Sequence, residues 1–394
     1  MRNVAYTSWS RPATFRDGTA HGTTVTDDGL GMAAPVGVRD YIDPHGDGSR
    51  RSYDYARWVS PEVRSGFGLS ELVASWSATT PGGSWVEVEM RGLADDDTTS
   101  RWYVLARWAE RDTDFHRASA GSQRDELGRV AIDMFRAAEG RSLVTWQLRV
   151  TLLRPTGSDL SPTVRAVGAM ASELPGIERI TQASPSGGAE GIVLDVPAYS
   201  QEKHVGHYPQ WDGGGEAWCS PTSTSMLLRY WGTGPTPEDY AWVEPGEDKW
   251  VDHAARGTFD YAYDGAGNWP FNTAYAARYG LDGFVTRLRS LTEAEQFVKA
   301  GIPLVASVSF EESTLDGAGY STNGHLLVIV GFDEGGDVVV NDPASHRIPS
   351  NDAVRVTYDR EQFENAWLPY SGGLTYVIHP SSVPLPPAPE QANW

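Results

Sequence analysis

The pattern of apolar and polar positions changes character once along this chain. From Phe67 it has period two: Val86, Val88 and Met90 share one face, with Glu87 and Glu89 on the other. Val144, Trp146, Leu148, Val150 and Leu152 likewise alternate with Thr145, Gln147, Arg149 and Thr151. Such runs predict antiparallel strands with one buried and one wet face. Turn signals such as Thr80-Pro81-Gly82-Gly83 and the acidic Asp95-Asp96-Asp97 separate them. Before this, residues 1–60 are rich in Gly, Asp, Arg and Thr with weak periodicity, which predicts short strands and long loops. Residues 1–180 therefore read as a β-sandwich.

The run ASPSGGAEG, within 181–191, is small and lacks apolar periodicity, which predicts a flexible linker. A second domain over 192–382 opens on an apolar strand, Ile192, Val193, Leu194 and Val196. Helical spacing follows at Met226, Leu227 and Tyr230, which predicts a buried face on a helix starting near Cys219. Further helices are expected at 272–279, capped by Asn272 and stopped by Gly280, and at 292–300. In the second, Thr292 and Glu295 form a capping box ahead of Gly301. Strands are expected at 304–310, 326–332, 337–341 and 374–378, with a helix near 360–367. Helices followed by an antiparallel sheet make an α+β domain. Pro-rich residues 383–394 read as a tail.

Length and composition narrow the picture. A chain of 394 residues suggests two domains. With 32 basic and 52 acidic residues the net charge is −20, which excludes a nucleic-acid or anionic-membrane partner. No stretch reaches the roughly 18 apolar residues of a membrane helix. No signal peptide is visible, so the compartment is cytoplasmic by default and extracellular if a leader has been removed. Trp76, Trp85, Trp102, Trp108 and Trp146 could stack on sugars, giving the first domain a carbohydrate contact, but packing of the sandwich is the favoured reading. The acidic loops, including Asp43 to Gly48, do not have the spacing of a calcium loop.

Candidate chemistry centres on the single cysteine, Cys219, which excludes a disulfide framework and a Cys-rich zinc site. Gly213, Gly214 and Gly215 precede it and Pro221 follows, so Cys219 would stand at a helix N-terminus, where the dipole favours a thiolate. Of nine histidines, His325 is best placed as its base, between permissive Gly324 and the apolar run from Leu326 to Val330. If 328–332 and 338–341 form a hairpin, Asp342 returns beside His325 and can orient it; Asp333 and Asn341 compete for that role. Gln201 is a candidate oxyanion donor. His204 and His207 have a spacing open to zinc, but no further ligands lie close in sequence, so no metal is expected and they read as lining the cleft entrance. Asp248, Asp252 and His253 read as a solvated face.

The run from Gln201 through GGGEAWCSPTSTSMLL, then NGHLLVIVGF and VVVNDPA, resembles the bacterial cysteine peptidase family related to bacteriocin-processing (double-glycine leader) peptidases. The resemblance covers about 192–380. It implies a papain-like fold with Cys219 as nucleophile, His325 as base, Asp342 as its orienter and Gln201 in the oxyanion hole. Trp218, Gly215, Gly324 and His207 flank these positions and are the expected substrate contacts. The chain departs from the family at Ser220, where a glycine is usual, and in a Gln201 placed farther upstream than in processing transporters. No transporter segments are expected. The implied activity is hydrolysis of peptide bonds in a peptide or protein of cell-wall or small-protein origin, with no cofactor. An inactive peptidase-like binding protein and an acyl or glutaminyl transferase are the alternatives.

Overall fold

Alternation along Leu143–Pro155 makes it a strand that can bury one face against a partner. In the computed structural model, which describes residues 2–394, it pairs antiparallel with Trp85–Ala94. The register sets Leu148 opposite Met90, Val150 opposite Val88 and Leu152 opposite Val86, all fully buried. The unit made of Ala5–Glu173 with Asp260–Asp264 contains two eight-stranded sheets of antiparallel strands. Its first sixty residues hold longer strands than their weak periodicity predicts, including the ten-residue Arg50–Val59 along Leu143–Pro155.

The face expected to be wet is covered. Glu87 and Glu89 are only 3% and 4% exposed. Arg39 and Arg107 reach Glu87 at 2.8 and 2.9 Å, and Arg149 grips Glu89 at 2.5 and 2.6 Å. Buried carboxylates persist here because each is matched by a guanidinium. Trp102 lies between Arg91 and Arg149, with the guanidinium carbons 4.6 and 4.3 Å from its ring centre. Trp76, Trp85, Trp108 and Trp146 are at most 1% exposed, so their rings pack the interior and present no face to a sugar.

The second unit, Leu174–Phe259 with Gly265–Trp394, combines helices with one six-stranded antiparallel sheet. Its helices are α1 (Cys219–Tyr230), α2 (Lys249–Thr258), α3 (Trp269–Ala277), α4 (Leu291–Lys299) and α5 (Arg360–Ser371). Its strands are β1 (Asp282–Arg287), β2 (Leu304–Phe310), β3 (Thr322–Phe332), β4 (Val338–Asn341), β5 (Arg355–Tyr358) and β6 (Leu374–His379), in the order β1-β6-β2-β3-β4-β5. Helix α1 is buried from Ser220 to Leu228, not on one face only, while Tyr230 is half-buried. Two of its polar side chains are satisfied internally: Ser223 donates to the Leu326 carbonyl at 3.1 Å and Thr224 to Asn272 at 3.1 Å, while the buried Thr222 and Ser225 hydroxyls have no hydrogen-bond partner. Among the described residues no helix is long and apolar enough to cross a membrane.

Several sequence expectations change. Residues 192–196 form no strand; a single bridge joins Val193 to Gly331, and Ile192 and Val193 remain partly exposed. The approach needs glycine, since a Cβ on Gly331 would lie 2.2 Å from the Ile192 carbonyl oxygen. Helix α3 starts three residues before Asn272 and is capped by Asn268, which accepts from Phe271 N–H at 3.1 Å. The capping box at Thr292 and Glu295 does not form. Glu295 is buried and accepts instead from the amides of Gly187 and Ala189, at 2.6 and 3.0 Å. Small residues thus serve the 181–191 stretch by letting its backbone lie against a buried carboxylate. Near the C-terminus Asn393 is fully buried and donates to the Arg287 carbonyl at 2.7 Å.

Candidate active site

Pro221 preorganises the first turn of α1, so the helix starts at Cys219 itself and leaves that residue's N–H without an intrahelical acceptor. The thiol is partly exposed. Ser220, where a glycine was expected, is fully buried, and its hydroxyl pairs with the Tyr376 hydroxyl of β6 at 2.9 Å. The start of the helix is thereby fastened to the sheet.

His325 lies inside β3, opposite Val308 of β2, and is 4% exposed. Its Nε2 donates to Asp342 Oδ1 at 2.8 Å, which leaves Nδ1 for the hydrogen bond with Cys219. The β3–β4 register explains how Asp342 arrives there. Phe332 pairs with Val338, but beyond a bulge between Ile329 and Gly331 the pairs are Ile329 with Val340 and Val328 with Asn341. Continued by one residue, that register sets Asp342 level with Leu327, on the face of His325. Without the bulge Asp342 would face away, because a one-residue slip exchanges the faces of a strand.

The other two candidate orienters have different tasks. Asp333 accepts from the amides of Gly335 and Asp337 within its turn. Asn341 donates to the carbonyls of Val196 and Pro197, both at 3.2 Å, and accepts from Arg355. Sequence reasoning missed two tyrosines. Tyr320 donates to both oxygens of Asp342, at 3.0 and 2.8 Å, and Tyr358 of β5 donates to Oδ2 at 2.8 Å. The Ala344 amide completes the shell at 3.0 Å. No local motif marks either tyrosine, because only the sheet brings them to Asp342.

Burial opposes a charge on His325, but Asp342 and then Cys219 outweigh it and carry the imidazole from 6.5 to about 10. Burial would also raise Asp342, yet the His325 charge and the bonds from His325, Tyr358 and Tyr320 hold it below the usual carboxylate range. Burial first, and then the Asp342 charge, push both tyrosines far upward, so they stay O–H donors. An ionised carboxylate beside an imidazolium is the arrangement this pocket favours.

Gln201 is 1% exposed at the start of the turn Gln201–His204. Its backbone N–H donates to the Pro343 carbonyl at 3.0 Å, tying the turn to the loop after Asp342. Its Nε2 donates one hydrogen to the Glu216 carbonyl at 2.6 Å, two peptide units before Trp218, and the second N–H of that amide remains for another acceptor.

The four flanking residues are distributed differently. Trp218 is fully buried and donates to the Trp211 carbonyl at 2.7 Å, so its indole packs in the interior before the helix start. Gly215 lies against the backbone of His204, where a Cβ would come 2.2 Å from the carbonyl carbon. Gly324 is exposed next to His325, and His207 is 39% exposed at its side chain. The expected solvated face at Asp252 and His253 is absent: both lie on α2, which the sequence reading missed, and are 1% and 8% exposed.

Comparisons with known proteins give two family matches. Residues 5–172 match the family described as Peptidase C39 N-terminal domain, and residues 193–374 match the Peptidase_C39 like family. No curated protein matches. Among solved structures, one titled for carbohydrate-binding modules from the beta-sandwich super family is similar at 8% identity with a TM-score of 0.17, covering 43% of this chain and 56% of that one. The chain thus spans little more than half the length of that structure. The two family matches lie end to end along the sequence and are consistent with a C39-like peptidase region preceded by a C39 N-terminal domain.

Proposed function

We propose that the second unit is a papain-like cysteine peptidase domain that hydrolyses peptide bonds, preceded by a β-sandwich accessory domain. The observation that carries the reading is the buried His325, bonded on one side to Asp342 at 2.8 Å and on the other to Cys219 at a helix start. A helix bearing the cysteine, set against an antiparallel sheet bearing the histidine, supports the papain-like assignment. The two eight-stranded sheets of the first unit support the sandwich.

In this mechanism the Cys219 thiolate attacks the acyl carbon of the substrate. The Cys219 N–H and the uncommitted Gln201 N–H stabilise the oxyanion. The His325 imidazolium gives its Nδ1 proton to the leaving amine as the C–N bond breaks. Neutral His325 then takes a proton from water, which attacks the thioester, releases the acid and restores the Cys219 thiolate beside the His325 imidazolium. Asp342 keeps the imidazole in one orientation throughout and remains ionised.

The test is the rate of iodoacetamide alkylation of Cys219 against pH, in the natural chain and in His325→Ala. A rate already high near pH 6 that collapses in the variant is expected from a thiolate–imidazolium pair. A slow rate rising only above about pH 8.5 and indifferent to His325 overturns the mechanism and favours a binding protein. Product analysis with an added amine separates the chemistries: acid products mark hydrolysis, amide products mark transfer.

A further inference from the structure

His204, His207 and Asp252 offer one donor atom each within 4.8 Å of one another, although Asp252 is far from the histidines in sequence. Asp252 presents Oδ1 to His207 Nδ1 at 2.8 Å and Oδ2 to His204 Nδ1 at 3.0 Å. The first contact is a hydrogen bond; the second lacks the geometry of one. Consequently both ring nitrogens of His204 and Oδ2 of Asp252 are buried without a hydrogen bond, on side chains 0% and 1% exposed. A buried imidazole with neither nitrogen satisfied is costly. A cation between these groups would satisfy it.

We propose that these three side chains form a binding site for a divalent transition-metal ion, zinc foremost. Two imidazoles and one carboxylate are a zinc donor set, and the contacts of 2.8 and 3.0 Å are close to neighbouring-donor spacing on a tetrahedral ion, about 3.3 Å for metal bonds of about 2.0 Å. Water can complete the shell from the side of His207, the one partly exposed member. The ion would tie the turn Gln201–His204 to α2. That turn carries Gln201 and rests on Gly215 in the approach to Cys219, so the metal would have a positioning task, separate from bond cleavage.

The site stands independently of the peptidase mechanism and is tested without turnover. Metal-stripped full-length Cys219→Ala protein, which removes the thiol as a competing ligand, is titrated with cobalt(II) by visible absorption and with zinc by calorimetry. One ion per chain is expected, with tetrahedral cobalt bands that zinc bleaches. His207→Ala, at a half-exposed position that spares the fold, should weaken zinc at least about tenfold, since even an outer partner costs that much. Asp252→Asn should remove the bands. Absence of stoichiometric binding in the Cys219→Ala chain overturns the site, as does zinc affinity unchanged by both substitutions.

Discussion

Two buried aspartates in the second unit each face histidine, and they differ in how completely they are satisfied. Asp342 accepts from His325, from two tyrosine hydroxyls and from the Ala344 amide. Asp252 accepts one histidine hydrogen bond, and its other oxygen is buried beside a second imidazole without one. A shell of neutral donors stabilises an ionised carboxylate without supplying net charge, so Asp342 can meet a cation that comes and goes, as the imidazolium does in the proposed mechanism. Asp252 has no such shell and is suited to a partner that stays. In the proposed mechanism one carboxylate serves a proton that moves, and in the proposed metal site the other serves a resident ion.

The largest test of the contrast is charge removal at each position. Asp342→Asn keeps the shape but loses the charge that most raises His325, so peptide turnover should fall roughly 10²–10⁴-fold. The His325 titration, followed by NMR of its ring protons, should move well below its value in the natural chain. Asp252→Asn should leave that titration in place. If both substitutions move His325 equally, the two clusters are one network and the contrast fails.

The pH dependence of stability gives a smaller but signed effect. His325 has a folded pKa of about 10 against 6.5, so its contribution is complete below about pH 6.5 and is lost as pH rises toward 10. Asp342 is depressed below 3.8, so its contribution is complete above about pH 4 and is lost as pH falls through the folded value. Urea midpoints should therefore decline from pH 7 to 10 in the natural chain. The alkaline decline should flatten in Asp342→Asn, where the raised imidazole no longer exists. An unchanged slope would mean that His325 is not held as the cation.

What the sequence discloses follows the range of the forces involved. Alternation around Val328 and Val338 and the turn between them make the β3–β4 hairpin readable, and with it the neighbourhood of His325 and Asp342. The bulge that sets Asp342 on the right face is not written in that alternation. It arises where β3 leaves Ile329, its last partnered position beside β2, and Gly331 takes up the backbone of Ile192. Tyr320 and Tyr358 were invisible because the feature they share is a carboxylate that each reaches only in the folded sheet. Glu87, Glu89 and Asp252 misled for the converse reason: a charged residue reads as solvated until its partners, distant in sequence, are known. Helix α2 escapes the sequence reading although Trp250, Val251, Ala254 and Ala255 recur at helical spacing, because Asp252 and His253 between them read as a solvated face.

The smallest expected effect tests whether the donors around Asp342 share their task. Tyr358→Phe removes one hydroxyl from Oδ2 while Tyr320 still donates to that oxygen at 2.8 Å. No polar atom is left unsatisfied on the carboxylate, so the loss should be about 1.5–3 kcal/mol by urea denaturation, the value of one hydrogen bond to a charged group. Turnover should fall less than about tenfold, because the charge that holds His325 is untouched. Asp342 should become somewhat easier to protonate, which moves the acid limit of stability upward. A fall in turnover as large as that of Asp342→Asn would show that the hydroxyl itself orients the carboxylate. In that case Asp342 would be as dependent on a single partner as Asp252, and the difference between the two aspartates would lie in their partners' chemistry and not in their number.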